Sequence, residues 1–457
     1  MKRKSLLLIA FGTVVTVVVG VLWFVMGWSF FKWNDDKPLT TLNPQGQYST
    51  QIQNLVMPVF VIAAAVFVGV IGAIIFISLR NRDRGDIETE DELPPQLHGK
   101  TWAEITWTII PAVVLLFVGL FTVVVLSDLN APPTAESLKV KVEGQQWWWR
   151  FSYDSNNNGT YGDEGDIITA NELVIPVGRE IALDETSNDV IHSFWIPALN
   201  GKKDAVPGLI TNWKLQAEHE GVYRGQCTEF CGLSHANMRM LVRAVSADQF
   251  KTWETNQLKP AAEPAAGSEA AAGKAVFTQQ LCSSCHLIRG VNGPKVADPK
   301  TGVKEQLVSG VAPDLTHFAT RGTFAGSIFN SHYPNPADQQ DVPFGQTCTV
   351  NGLTGGSDIA GKKLTDVGKG TTCPSANQAD SAEIPYATEP GNPSNPFNTV
   401  AVASWLRNPP QMKPMAPDPS QNPYANIGGG TRGRGMPNLN LSEEQIGQLV
   451  AYLSSLT

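Results

Sequence analysis

The chain has 457 residues, 42% hydrophobic and 17% charged, with a formal net charge of −8. That length exceeds one ordinary domain and predicts two or three folding units. The acidic balance, with no basic cluster to offset it, argues against a nucleic-acid partner.

Three uncharged stretches, 5–31, 55–79 and 105–127, are rich in Val, Ile, Leu and Phe. Crossing a bilayer takes roughly 20 apolar residues at about 1.5 Å rise each, so each stretch is long enough to span as a helix. A buried core helix rarely runs this far without a polar face. Lys2, Arg3 and Lys4 precede the first stretch, and Arg80, Arg82 and Arg84 follow the second. The positive-inside rule puts both groups in the cytoplasm, so 32–54 and everything after about 128 lie outside. The first stretch reads as a retained helix or as a cleaved signal peptide. It is longer than the roughly 7–15 residues of a signal core and no A-x-A site follows it, but either reading leaves the same topology. Residues 1–130 are therefore a membrane anchor.

From about residue 131 the pattern becomes that of a soluble domain. "LKVKVEGQQWWWRFSY" (138–153) alternates and is rich in β-branched and aromatic residues; "NELVIPVGREIALDETS" and "VYRGQCTEFC" continue as short strands. These predict a small antiparallel β-sandwich or barrel over 131–257. Residues 258–273, rich in Ala, Pro, Glu and Gly, read as a linker running into a helix. The remainder, 274–457, is loop-rich, with helical patterns at about 268–283 and at 441–456, where Ser442 stands at the N-cap position. The loop "DSNNNGTYGDEGD" (154–166) imitates a calcium loop, but the place of its bidentate acid is taken by Gly165 and no helices flank it. It reads as a hairpin loop.

The six cysteines fall as three pairs. The first lies in "GQCTEFCGLSHANM" (225–238), where Cys227, Cys231, His235 and Met238 crowd together. Zinc gains little from a thioether, and a disulfide leaves His235 and Met238 unexplained. Copper uses thiolate, imidazole and thioether together. Two cysteines four apart suit a bridged copper pair, which requires a second histidine, and "NDVIHSFWIP" (188–197) offers His192.

The set His192, Cys227, Glu229, Cys231, His235 and Met238 resembles the dinuclear copper (CuA) site of cytochrome c oxidase subunit II. The resemblance implies a cupredoxin-like fold. It makes His192, His235 and Met238 terminal ligands and Cys227 and Cys231 bridges, while Glu229 binds through its carbonyl and faces a magnesium site shared with subunit I. "GQQWWWRFSY", "GKKDAVPG" (201–208) and "HGKTWAEITWTIIP" (98–111) match the same family. The match makes Trp147 the point where external electrons enter and Glu104 the carboxylate at the mouth of a proton path. On its own, Glu104 reads as a helix-start charge and the tryptophans as packing. The likeness covers about 50–255, and the stretch 5–31 departs from the family's two-helix pattern.

The second pair stands in "LCSSCHLIRG" (281–290), where Cys282, Cys285 and His286 form the attachment signature of haem c. The surroundings, including "APDLTHFATR" (312–321), resemble the all-α cytochrome c domain fused to some oxidase subunits II. That likeness puts the sixth iron ligand at Met436, with Met415 as the alternative. Extra length falls at 329–398 and 416–433. Cys348 and Cys373 lie in the first insertion, and a disulfide there would close a loop of about 25 residues, contributing roughly 3 kcal/mol.

Together these readings predict a multi-domain chain with transmembrane helices, a cupredoxin-like domain and an all-α cytochrome c domain. The resemblance implies subunit II of a caa3-type haem–copper cytochrome c oxidase. Electrons would pass from its haem c to CuA and on to haem a of subunit I for reduction of oxygen to water with proton pumping. Implied partners are subunit I with haem a and CuB, subunit III, and a cytochrome c or quinol-oxidising complex as donor. The implied place is the bacterial cell membrane, multi-pass, with both soluble domains on the periplasmic side. The alternatives are the CuA subunit of a nitric oxide reductase and a membrane electron carrier with no enzyme partner.

Overall fold

A computed structural model describes residues 39–80, 99–163, 165–280, 282–292, 312–333, 393–415 and 435–457, with backbone alone at 348–349 and 371–372. The stretch 5–31, most of 329–398, all of 416–433, and the Cys348–Cys373 pairing lie outside the described residues. The chain divides into two compact units, Met1–Pro44 with Tyr48–Ala131, and Gln45–Gln47 with Pro132–Thr457.

The first unit contains helices Gln47–Arg80 and Thr101–Leu129, of 34 and 29 residues. Both are long and apolar enough to cross a membrane, and they contain the second and third uncharged stretches. Their side chains are almost all exposed, as expected of helices whose apolar surface is made for lipid rather than for a protein core. Gln51 Nε2 donates to Asp128 Oδ2 at 2.8 Å, joining the start of one helix to the end of the other.

The second unit begins with a β domain. Its first sheet contains β1 (Leu138–Gln145), β2 (Trp148–Tyr153), β3 (Ile167–Ala170), β5 (Ile181–Ser187) and β8 (Thr211–Leu215), in the order β3-β2-β1-β5-β8. The second contains β4 (Glu172–Pro176), β9 (Gly221–Gln226) and β10 (Arg239–Val245), in the order β4-β10-β9. A hairpin of β6 (His192–Phe194) and β7 (Lys203–Ala205) completes it. The expected purely antiparallel arrangement is not what forms: β1 pairs parallel with β5, and β4 parallel with β10. The chain leaves the first sheet at β4 and returns at β5, so these neighbours meet through crossovers rather than tight turns, and crossovers deliver parallel strands.

Trp149, Phe151, Tyr153, Leu173, Ile175 and Phe194 fill the space between the sheets. Full burial of such a side chain contributes roughly 1.5–3 kcal/mol. The loop 154–166 joins β2 to β3, which pair antiparallel, so it is a hairpin loop. Its acids serve the loop itself: Asp154 accepts from the amides of Asn158 and Gly159, and Asp166 from those of Ser155 and Gly162. A helix absent from the sequence reading, Ala247–Gln257, closes the domain, started by a capping box of Ser246 and Gln249.

The C-terminal lobe of this unit contains helix Glu269–Gln279, the single turn Cys282–Cys285, helix Thr399–Arg407, the turn Pro409–Met412 and helix Glu443–Ser454. A hairpin of two-residue strands, Thr323–Phe324 and Phe329–Asn330, adds a β element. Helix Glu269–Gln279 starts at its cap Ser268, inside the run read as linker, because the alanines there are strong helix formers. Ser442 caps the last helix as its sequence predicts. Phe277, Ile288, Phe329, Ile446, Leu449 and Tyr452 build the lobe core. The amides of Tyr333 and Asn398 donate to Pro396 and Ser331, so the chain on either side of 334–392 leaves and returns at one place.

Candidate metal centre

The copper-ligand candidates meet where β6 crosses the end of the β9–β10 hairpin. Arg239 pairs with Gln226, and the Cys227 amide donates to the Met238 carbonyl at 2.9 Å, closing the loop 227–238 at its base. The amides of Gln226 and Thr228 donate to the carbonyls of Trp195 and Ser193, which fastens the His192 strand alongside. Gly144 on β1 makes room for the ring: a Cβ there would lie 2.7 Å from His192 Cδ2.

The donor atoms converge. Cys227 Sγ and Cys231 Sγ are 3.7 Å apart. His192 Nδ1 lies 3.9 Å from Cys227 Sγ, and His235 Nδ1 lies 3.5 Å from Cys231 Sγ. Met238 Sδ is 3.8 Å from Cys231 Sγ, and the Glu229 carbonyl oxygen is 3.2 Å from Cys227 Sγ. Every atom predicted to ligate therefore borders the sulfur pair. The Glu229 side chain is exposed. Both cysteines, His192 and Met238 are buried, and neither cysteine is in a disulfide.

Groups beyond the ligands orient them. His192 Nε2 lies 2.8 Å from Asp189 Oδ1, which leaves Nδ1 facing the sulfurs. Asp189 also accepts from the amides of Gln146 and Val190, each at 2.8 Å. Gln146 Nε2 and Trp147 Nε1 both donate to the Cys231 carbonyl, at 2.8 and 3.1 Å. The hydrogen bond with Cys231, assisted by His192, favours the thiolate at Cys227; the same bond, burial and that charge push the Cys231 thiol up. Two buried sulfurs that resist sharing two negative charges suit bridging by cations, which remove the second proton.

The chain is similar to known proteins. The family model described as "Cytochrome C oxidase subunit II, periplasmic domain" matches residues 138–245, and that of the transmembrane domain matches 43–125. Cytochrome c oxidase subunit 2 of Alkalihalophilus pseudofirmus is 33% identical over 304 residues, covering 65% of this chain and 80% of its own length. The chain belongs to the cytochrome c oxidase subunit 2 family. The Bacillus subtilis subunit 2 is 31% identical over 304 residues, covering 63% of this chain and 78% of its own. The crystal structure of the periplasmic domain of subunit II (CoxB) of Bradyrhizobium japonicum aligns at 30% identity and a TM-score of 0.25, covering 28% of this chain and 96% of that one. As a family member the chain is a membrane-bound subunit of cytochrome c oxidase with a periplasmic domain. The matched domain implies CuA copper, and the donor set described above fits it.

The remaining residues that subunit 2 resemblance singles out are dispersed. Glu104 sits exposed in the first turn of helix Thr101–Leu129. Trp147 is buried at 2% exposure, between β1 and β2. In the lobe, Cys282 and Cys285 are free thiols on one helical turn. His286 Nδ1 is 2.8 Å from the Pro313 carbonyl, so its other nitrogen is left for a metal, and burial holds the ring's pKa down, in its ligating neutral form. Arg321 is buried within electrostatic reach of His286, and its Nη2 has no partner among the described residues. A guanidinium so placed suits an anionic group such as a porphyrin carboxylate, so the residues fit a haem. Met436 packs with Met412 against the core that contains Cys282, whereas Met415 packs against the β domain.

Sequence reasoning missed Asp189, Gln146 and Lys413. Asp189 stands three residues before His192, a spacing that hints at a ligand-orienting acid. Gln146 opens the tryptophan run. Lys413 gives no local signal. Its ammonium is 3% exposed as a residue, donates to the Trp147 and Ala325 carbonyls at 2.6 and 3.2 Å, and is pushed by burial down to about 7.

Proposed function

We propose that the chain conducts electrons from a haem c bound in its own C-terminal lobe to a dinuclear copper centre in its β domain, for delivery to haem a in subunit I of a caa3-type oxidase. The observation that carries this reading is the buried sulfur pair 3.7 Å apart, bordered by two imidazole nitrogens and a thioether. A copper pair held there would supply a one-electron store. The covalent haem supplies an iron couple whose potential a methionine ligand raises.

The chain's own residues do the rest. Cys227 and Cys231, with His192, His235, Met238 and the Glu229 carbonyl, would hold the copper. Asp189 fixes the His192 ring and its tautomer. Gln146 and Trp147 anchor the Cys231 backbone. Cys282 and Cys285 would attach a haem covalently, and His286 and Met436 would supply its iron ligands. The exposed Glu229 carboxylate takes part in a magnesium site at the subunit I boundary, and Glu104 admits protons to a path in that subunit. Partners are subunits I and III and a cytochrome c or quinol-oxidising complex. The place is a bacterial cell membrane, with the soluble domains on the periplasmic side.

Replacing His235 by Asn in the purified complex tests the reading. Copper absorption and its hyperfine pattern in electron paramagnetic resonance should be lost while the haem c bands persist. Unchanged copper content would refute the ligand set.

A further inference from the structure

Beneath the lobe, the copper-ligand loop is covered. Lys413 Nζ donates to the Trp147 carbonyl, and Trp147 Nε1 donates to the carbonyl of the bridging residue Cys231. Next to Lys413, the Pro414 carbonyl accepts from Ser234 Oγ at 2.5 Å, one residue before the ligand His235. From the lobe's short hairpin, the Gly326 carbonyl accepts from the Arg239 amide at 3.1 Å, one residue after the ligand Met238. Ser327 Oγ donates to the Asn171 carbonyl, and the Gly322 amide donates to Glu172 Oε2 at 2.9 Å. Met415 packs into the β-domain core. The C-terminal part of the ligand loop and the tryptophan at its base are thus fastened to two lobe segments, 322–327 and 413–415.

A buried ammonium held by carbonyls is expensive to keep unless it secures something. Here it joins three parts: the lobe hairpin through Ala325, its own segment, and the backbone of Trp147. Gly326 is shaped for it. With φ at +82°, its missing Cβ would stand 2.6 Å from Lys413 Nζ and 2.7 Å from the Asn237 carbonyl. The helical turn Pro409–Met412 that precedes Lys413 is anchored in the lobe core through Met412. The lobe is therefore coupled to Cys231 by a short series of hydrogen bonds and covalent bonds, and Trp147 has no surface left for another protein.

We propose that the Trp147 face of the β domain is an internal docking surface for the C-terminal lobe, that Lys413 is its positioning residue, and that an external protein donor must therefore address the lobe rather than the copper domain. The claim rests on the reading that the lobe and the β domain each bind a redox centre. It concerns where this chain's two parts are fixed, which is measurable whether or not either centre is loaded.

The test uses the whole oxidase complex and the variants Lys413→Met, which keeps the length and removes the donors, and Gly326→Ala, which obstructs the same contact from the other side. Hydrogen exchange of the Arg239 amide should rise about tenfold or more in both variants, while that of Val242, inside the β domain, stays at the wild-type rate. In the wild type, a stopped-flow pulse of reduced soluble cytochrome c should reduce the lobe haem before the copper; in Lys413→Met, copper reduction should begin without that lag. Arg239 exchange that is unchanged in both variants overturns the proposal, as does direct copper reduction in the wild type. If Lys413→Met also frees Val242, the fold has failed and Gly326→Ala decides. A wild type without copper or haem bands would sink the electron-transfer reading instead, and the exchange result would still report on docking.

Discussion

Asp189→Asn is the most discriminating perturbation of the copper centre, because it keeps the size of the side chain while removing its charge and one of its two acceptor oxygens. Oδ1 takes hydrogen bonds from His192 Nε2 and the Val190 amide, and Oδ2 takes one from the Gln146 amide. An asparagine supplies one oxygen and one NH2, so two of these three donors at most are satisfied. If the oxygen stays with His192, the Gln146 amide faces a donor at the start of the turn that anchors Cys231. If the amide turns over, the His192 ring loses its orienting partner. Either way a buried donor goes unpaired, at about 1–3 kcal/mol. Expressed in copper binding, that is roughly a 5- to 150-fold weakening, within the range of about 10- to 100-fold typical for partners of metal-ligating histidines. The assay is retention of copper against a graded chelator, read by the copper absorption with the haem c bands as internal standard. Retention equal to wild type would refute the reasoning, since it would mean that the carboxylate does not hold His192 toward the sulfurs.

Met436→Leu should remove the methionine–iron charge-transfer band and lower the lobe's reduction potential, whereas Met415→Leu should leave both; redox-monitored spectra decide, and the opposite pattern would exchange the assignments. Gly273→Ala should destabilise the lobe by about 1–3 kcal/mol although alanine is the better helix former, because its Cβ would run into the Gln448 backbone and stand 2.8 Å from Tyr452 Cβ. Thermal melts followed at the haem bands would show the sign, and stabilisation would mean the helices can part freely. Copper affinity of the metal-free chain should rise with pH by about tenfold per unit, because the Cys231 proton must leave on binding; the slope should steepen at lower pH, where His192, its pKa raised by Asp189 and Cys227 against the opposing effect of burial, also carries a proton. A flat titration against a copper buffer would contradict this. Lengthening the run at 263–266 by a few Gly-Ser pairs should leave transfer from haem to copper unchanged in flash photolysis, whereas a floating lobe would slow as linker length grows.

The cluster of candidate ligands was legible because its chemistry is local: Cys227, Cys231, His235 and Met238 lie within one loop. His192 required only the further inference of a second imidazole. The helices over the second and third uncharged stretches were legible from length and apolar composition alone. What the sequence concealed depends on contacts between residues far apart in the chain. The parallel pairings of β1 with β5 and β4 with β10 follow from crossovers, and alternation in a strand carries no record of its neighbour's direction. Helix Ala247–Gln257 has few apolar residues, so its pattern is faint; only the Ser246–Gln249 capping box announces it. Lys413 is the extreme case. A lysine between a methionine and a proline reads as solvated, and only its partners, 266 and 88 residues away, make it a buried clamp.

The linker shows how this difference changes the physics. Read from composition, an Ala/Pro/Glu/Gly tether of about 15 residues would keep a mobile donor near the acceptor at roughly millimolar effective concentration. The described backbone of that segment is instead laid on the lobe. Leu258 and Lys259 give their carbonyls to Arg289 Nη1 and to His317 Nε2, and the Ala261 amide donates to the Arg289 carbonyl. Arg289 reaches across as well, donating to the Asp166 carbonyl of the β domain. A tether held at both ends no longer sets a concentration. It removes the search altogether, because the ordering entropy is lost once, at folding, and not at each encounter. The donor's orientation then matters more than its proximity. At the far end of the lobe Lys413 holds the Trp147 carbonyl, so on the proposed function the chain would behave as one rigid conductor and not as two carriers on a string.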